Sequence, residues 1–230
     1  MNSLLNPDNP VMQFITKIVN AVYLNILWFI CSLPIFTIGA STTALYYVTL
    51  KMAKNEEGHL TKAFIHSFRE NFRQGTIIWL ILLGLGVILG VDGYVLYHMR
   101  FENVFWTICT AVFIVALVAY AIVLMYIFPL LARFDNTIRA MFKNSIMIGM
   151  RFLLCTVLMA VIYFVMAFVI INIFTPAVIF GEGLCAFLCS CLLSNILAMC
   201  KEKSETEEEQ DSSGHAFTDP EESNSEDVDL

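Results

Sequence analysis

Asp92 is the first residue in this 230-residue chain whose type and place could do chemistry: it is a carboxylate set in a long apolar run. An ionisable group within a membrane segment is costly to keep there and commonly handles substrate or protons. Gly93, Tyr94 and Tyr97 follow it, which places it near the outer end of its segment. A solute or proton role and a plain outer-interface carboxylate both stand open. Asn25, Asn172 and Asn195 are isolated amides in apolar surroundings, read as hydrogen-bonding another helix. Arg133 and Asp135 flank Phe134 just after Pro129, as a structural ion pair or a snorkelled anchor would.

The seven cysteines, Cys31, Cys109, Cys155, Cys185, Cys189, Cys191 and Cys200, are odd in number. Cys185 and Cys189 share a helix face, but no histidine or carboxylate completes a metal set, so they read as small apolar residues. His59, His66, His98 and His215 are scattered. No Walker loop, nucleophile elbow, zincin motif or dinucleotide fingerprint occurs. The expectation is a protein that is not an enzyme, with no cofactor, no metal and no nucleic-acid partner.

These residues must be positioned by helices in lipid. The chain is 58% apolar and 14% charged, against roughly half and a quarter in soluble domains, and its mean hydropathy is +0.73. Five stretches lack Asp, Glu, Lys and Arg: 18–50, 74–91, 103–132, 152–181 and 183–200. A span needs about 20 helical residues at about 1.5 Å each. Continuous runs such as Thr76-Ile-Ile-Trp-Leu-Ile-Leu-Leu show no period-two alternation, which excludes a barrel and leaves helices. The expected fold is all-α: a polytopic membrane protein with five to six embedded helices, an interfacial amphipathic helix and a disordered acidic tail.

Segment 18–50 is too long for one span and breaks at Ser32-Leu-Pro-Ile-Phe-Thr-Ile-Gly-Ala-Ser. Pro34 lacks an amide donor, Gly39 is permissive, and Ser41 or Thr37 can cap a new helix. Two helices result, about 11–33 and 41–54, joined by an elbow; the second either crosses or re-enters. Segment 152–181 breaks at Thr175-Pro176, giving a helix ending near Phe174 and another over about 176–200. Gly86, Gly90 and Gly93 make a small-residue stripe suited to close helix packing. No small-x-small cleavage site follows the first apolar stretch, so the first helix is expected to stay.

Lys51, Lys54, Lys62, Arg69 and Arg73 crowd one loop; Arg133, Arg139, Lys143 and Arg151 another; Lys201 and Lys203 begin the tail. The alternate loops hold Arg100 alone. The asymmetry predicts that the basic loops and the C-terminus face the cytoplasm. The side of the N-terminus depends on whether 41–54 crosses. In the first of these loops Lys62, His66, Arg69 and Arg73 fall on one helical stripe, with Leu60, Phe64, Phe68 and Phe72 largely opposite. Such a helix is either an anchor in an anionic leaflet or a docking face for a cytoplasmic partner. Residues 137–151 partly repeat the design, with Arg139 and Lys143 four apart and Ile138, Phe142 and Ile146 beside them. A duplicated unit of amphipathic helix plus spans is one reading of that pair, of the kind that frames transporter sites.

Charge divides the chain sharply. Residues 1–200, the helical membrane domain, carry +3, whereas 201–230 carry −10. The latter composition cannot bury enough surface to offset ordering entropy, so a disordered cytoplasmic tail is expected.

Three stretches together resemble the YesL-like family of small bacterial membrane proteins: Leu24-Asn-Ile-Leu-Trp-Phe-Ile-Cys-Ser-Leu-Pro-Ile-Phe-Thr-Ile-Gly-Ala-Ser-Thr-Thr-Ala-Leu-Tyr-Tyr, Ser67-Phe-Arg-Glu-Asn-Phe-Arg-Gln, and Pro129-Leu-Leu-Ala-Arg-Phe-Asp-Asn-Thr-Ile. The resemblance covers roughly residues 5–195, with the Leu33-Pro34…Thr37-Ile-Gly39-Ala elbow its most specific part. It implies a bacterial cytoplasmic membrane, a retained first helix and a neighbourhood of carbohydrate-uptake genes, but no activity and no catalytic residues. The expected function is a non-catalytic accessory or regulator of carbohydrate uptake, contacting a sugar-transporter or membrane-sensor subunit through the basic approaches and the elbow. The alternative is a small secondary transporter using Asp92, Asn25 and Asn172. Oligomeric state is open.

Overall fold

A computed structural model describes residues 10–56, 58–98, 104–172 and 181–198. All regular structure among them is helical. The helices are α1 (Pro10–Cys31), α2 (Ile38–Ala53), α3 (Leu60–Glu70), α4 (Phe72–His98), α5 (Val104–Leu131), α6 (Ile138–Arg151), α7 (Leu153–Asn172) and α8 (Gly181–Ala198). Five are long and apolar enough to cross a membrane: Met12–Cys31 of α1, then α4, α5, α7 and α8. Their outward faces carry large apolar side chains along most of their length, among them Val104 (79% exposed), Leu154 (77%) and Phe164 (73%) on α5 and α7. Patches of that extent would aggregate in water and are ordinary in lipid. The chain is a multi-pass membrane protein.

The break at Pro34 forms as the residue types demand. Pro34 is extended (φ −75°, ψ 117°), and a single 3-10 turn, Ile35–Thr37, leads into α2. The new helix begins at Ile38, three residues before the expected 41, and neither expected cap acts as one. The Thr37 hydroxyl turns back to donate to the Cys31 and Pro34 carbonyls, at 2.6 Å each, which locks the elbow instead of capping α2. The Ser41 hydroxyl is buried with no hydrogen-bond partner among the described residues.

α1 and α2 run antiparallel. The Trp28 indole donates to the Thr42 hydroxyl near the elbow, and Lys17 Nζ donates to Asn55 Oδ1 at the other end. The start of α1 therefore lies beside the basic end of α2. α2 is 16 residues long, about 24 Å, short of a roughly 30 Å hydrocarbon core. It is buried almost throughout from Gly39 to Met52, the innermost helix of the fold. The hairpin tip meets α4 near its basic start. A Cβ on Gly39 would lie 2.6 Å from the Trp79 Cβ and clash with the Gly75 carbonyl, and the Trp79 indole donates to the Ile35 carbonyl at 2.9 Å. A hairpin crossing in register with α4 would place its tip near Asp92 instead.

The amphipathic run 59–73 is not one helix. α3 stops at Glu70, Asn71 ends it with its side-chain amide donating to the Ser67 carbonyl and hydroxyl, and Arg73 belongs to α4. Two of three stripe glycines meet α5: Gly86 abuts the Tyr120 hydroxyl and Gly93 the Phe113 ring, whereas Gly90 faces open space. On the second break, α7 ends at Asn172 and α8 is described from Gly181; Thr175 and Pro176 lie outside the described residues, as does the tail 201–230. Residues up to Ser194 make one compact unit, and of those beyond it 195–198 continue α8.

Candidate functional site

The residues singled out by type and spacing fall into three separate places. The first is the end of the fold that carries the basic residues. Lys62, His66 and Arg69 are exposed on α3, and Arg73 is exposed as the second residue of α4. The opposite face of α3 is spent on the protein: Phe64 and Ser67 are fully buried, and the Tyr23 and Thr61 hydroxyls meet at 2.9 Å. Burying a phenylalanine from water is worth about 1.5–3 kcal/mol, which holds this helix down without lipid. An anchor would need that aromatic face free for the bilayer; Phe64 is not, whereas Phe68 is half-buried and Phe72, the first residue of α4, is exposed. On the charged side, His66 Nε2 lies 3.6 Å from Glu70 at the surface.

α6 repeats the arrangement. Arg139 and Lys143 are exposed, while Met141, Ser145 and Ile148 are buried against its neighbours, so the packed face is not that of Ile138, Phe142 and Ile146. Lys62 and Arg139, Phe64 and Met141, His66 and Lys143 all stand 77 residues apart and alternate exposed, buried, exposed in both helices. The two approaches meet where Gln74 Nε2 donates to the Asn136 carbonyl at 2.6 Å. That bond sets Arg73 and Asp135, each one residue away, at the same edge. Trp79 stacks obliquely on Phe128 there, with ring centroids 6.4 Å apart, and reaches the elbow carbonyl. Pro34, Gly39, Arg73, Arg133 and Asp135 thus share one neighbourhood. Arg133 and Asp135 form no ion pair with each other, and the Asp135 side chain is exposed, so of the two expected readings, an ion pair or a snorkelled anchor, the ion pair does not form.

Asp92 stands apart from all of these. It lies three quarters along α4, exposed, at an open cleft of about 450 Å³ between α4 and α5. Leu89, Leu96, Trp106, Cys109 and Phe113 are among the remaining lining residues, so the carboxylate edges an apolar groove. Asn172 is separate again and bonds back to the Phe168 carbonyl of its own helix, at 3.1 Å, not to another helix. Asn195 is exposed.

The third place is the interior, where Asn25 does bond another helix. It is fully buried and its Oδ1 accepts the Gly183 amide at 2.7 Å. Around it the bundle is polar. Tyr46 of α2 and Tyr163 of α7 share a 2.6 Å hydroxyl contact, and Thr49 and Ser190 share one of 2.8 Å. Glu182, at the start of α8, is half-buried between two glycines that pack against α7 and α1. Nothing in the spacing of the sequence drew attention to Glu182, since it merely divides two uncharged runs. Its available signal was that it is a carboxylate flanked by two glycines inside an apolar stretch. Cys185 and Cys189 are buried on the same helix, Cys31, Cys109 and Cys155 are half-buried, and Cys191 is exposed, so only part of the set packs as small core residues. Among the described residues no cluster of three metal-ligating side chains occurs.

Comparison with known proteins picks out the elbow and the helices next to it. Residues 21–93 match the family described as "Protein of unknown function, DUF624". The chain is 28% identical to the uncharacterized protein YesL of Bacillus subtilis over 156 residues, 66% of this chain and 72% of that protein. It is 26% identical to the uncharacterized protein YteU of the same organism over 153 residues, 65% of this chain and 68% of that one. No solved structure matches it. The matched span takes in the hairpin α1–α2 from Ala21, α3 and α4 as far as Gly93, so it contains the elbow, the first basic approach and Asp92.

Proposed function

We propose that this chain, a YesL-like membrane protein of the DUF624 family, is a non-catalytic accessory or regulatory subunit that docks a partner through its basic approaches. One observation carries the reading: α3 and α6 are each seated on the fold by buried residues, Phe64 and Ser67 in the one and Met141, Ser145 and Ile148 in the other, and hold Lys62, His66, Arg69, Arg139 and Lys143 outward. A rigidly seated cationic surface suits an acidic protein segment, because the charges are already positioned and lose little freedom on contact. The charge asymmetry of the loops supports a cytoplasmic location for this face and for the C-terminus. The resemblance supports carbohydrate uptake as the process served, with a sugar-transporter or sensor subunit as partner.

Site-specific photo-crosslinking from position 66 or 143 in intact cells tests this. A discrete protein adduct that disappears in the charge-reversed variant K62E/R69E is the expected result. Adducts confined to lipid, or unaffected by the reversal, would return α3 to the role of a membrane anchor.

A second reading, a small secondary transporter, is favoured by the buried polar groups between α1, α2, α7 and α8. Reconstituted vesicles that accumulate a sugar or ion would establish it. Uptake that ignores Asp92→Asn would remove Asp92 from the path.

A further inference from the structure

Far from the basic approaches, the pair α4–α5 stands bare: no residue is buried over 83–98 of α4 or over 104–120 of α5. The two helices are held together where Gly86 abuts the Tyr120 hydroxyl, which donates to the Leu82 carbonyl at 3.2 Å, and where Gly93 meets the Phe113 ring. Beside the second contact the cleft of about 450 Å³ opens between them. It does not end there. A second hollow of about 390 Å³ follows α5, lined by Ala111, Val115 and Ala119, and the two hollows share Val112 and Ala116. Together they form one apolar groove from Trp106 to Ala119, about 20 Å long at about 1.5 Å per residue.

One end of the groove is polar. Asp92 is the single charged residue lining it, and among the described residues no Lys, Arg or His pairs with it. Tyr94 and Tyr97 follow on α4 and Trp106 faces the same cleft, the residue types that gather at the level of lipid headgroups. Below that level one leaflet offers about 15 Å of hydrocarbon, half of the roughly 30 Å core. The groove can therefore hold an acyl chain over that whole depth, with the headgroup at Asp92. Charge then selects the headgroup. A carboxylate without a cation at the edge of the hydrocarbon is costly, and a primary ammonium offsets it with a charge-assisted hydrogen bond. A second copy of this chain would fill the trough less well, because α4 after Arg73 and all of α5 hold no Lys or Arg to bring to Asp92.

We propose that the α4–α5 groove is a binding site for a phospholipid whose headgroup ends in a primary ammonium, seated on Asp92 with an acyl chain laid along α5 as far as Ala119. The site goes beyond the docking function and does not depend on it.

Native mass spectrometry of the full-length chain, released from detergent, counts bound lipids and copies of the chain together. Phosphatidylethanolamine, phosphatidylcholine and phosphatidylglycerol with the same acyl chains are added in turn; the choline ammonium has no hydrogen to donate, and the glycerol headgroup has no cation. Wild type is expected to retain one phosphatidylethanolamine roughly tenfold more tightly than either of the others, the worth of a hydrogen bond between charged groups. Asp92→Asn levels the three lipids, and Asp92→Glu keeps the preference. Ala116→Phe fills the trough from an exposed position and lowers retention of phosphatidylethanolamine with the carboxylate still in place. In each variant the buried Cys189 stays protected from thiol reagents, which shows that the fold is intact. Equal retention of the three lipids by wild type, a preference that survives Asp92→Asn, retention indifferent to Ala116→Phe, or lipid-free dimers that Ala116→Phe dissociates overturns the proposal.

Discussion

Gly39→Ala tests the packing of the elbow against α4 in one atom. The added methyl carbon would meet the Gly75 carbonyl oxygen in outright overlap and sit 2.6 Å from the Trp79 Cβ and 3.0 Å from the Gly75 carbonyl carbon. All three atoms belong to the backbone of α4 or lie one bond from it, so no rotamer change clears the space. Ordinary contacts of a Cβ begin near 3.4 Å, which requires α2 and α4 to part by about 1 Å. That displacement would stretch the Trp79 to Ile35 hydrogen bond and open the best-buried crossing in the fold. Overpacking of this kind costs about 1–3 kcal/mol. For a chain of this length the melting temperature then falls by roughly 2–10 °C. Purified protein in mild detergent, heated with a thiol-reactive fluorophore, reports the transition as the buried Cys185 and Cys189 become reactive. Gly84→Ala is the matched control: it lies on the same helix as Gly75, and a methyl there meets nothing within 4 Å. It should be neutral or up to about 1 kcal/mol stabilising, since alanine is the better helix former. Equal melting of Gly39→Ala and wild type, or a larger loss in Gly84→Ala, would refute the crossing.

Trp79→Phe removes the indole donor to the Ile35 carbonyl while keeping the ring near Phe128; a loss of about 1 kcal/mol in the same melting assay is expected. Thr156→Val keeps the shape but takes away the acceptor of the buried Tyr126 hydroxyl, 2.9 Å away, and should cost about 1–3 kcal/mol, with Tyr126→Phe in the same background recovering much of it. K62E/R69E should melt within about 0.5 kcal/mol of wild type, because both side chains are exposed and leave the buried Phe64 face untouched. A large destabilisation there would mean that the basic side chains hold the fold, and the docking reading would lose its premise.

The features legible in the sequence trace to the solvent. Lipid forbids unpaired backbone groups, so charge-free runs of sufficient length had to be helices, and α4, α5 and α7 fall where those runs do. The elbow was legible for a similar reason: Pro34 cannot continue a helix, whatever surrounds it. Its locking was not, because Thr37 had two uses for its hydroxyl, and the choice depended on where the Cys31 carbonyl ended up. The periodicity of α3 identified its two faces correctly but not their surroundings. An amphipathic stripe has the same spacing whether its apolar side meets lipid or a neighbouring helix, and the burial of Phe64 in a helix packed on α2 is what decides at that position. The break at Asn71 was also hidden, since the basic stripe continues in phase across it to Arg73.

Glu182 marks the deeper limit of reading charge along a chain. Scanning for uncharged runs treats every charged residue as punctuation, so a carboxylate at the first turn of α8 looked like the edge of a loop. Asp92 drew notice by the opposite accident, because it comes after a long run without ending the helix; yet it is exposed at an open apolar cleft, whereas Glu182 is half-buried. The difference lies in the neighbours. Gly181 and Gly183 let α7 and α1 approach the backbone on either side of Glu182, and that close approach leaves Glu182 half-buried. Of the glycines near Asp92, Gly90 faces open space and Gly93 meets only the rim of the Phe113 ring. Substituting the flanking glycine should therefore separate the two carboxylates. Gly183→Ala must push α8 from α1 and break the amide bond to Asn25, with a stability loss of about 1–3 kcal/mol. Gly90→Ala beside Asp92 should cost nothing measurable in the same melting assay. If both substitutions were silent, the close contact of Gly183 with α1 would not be what seats the start of α8.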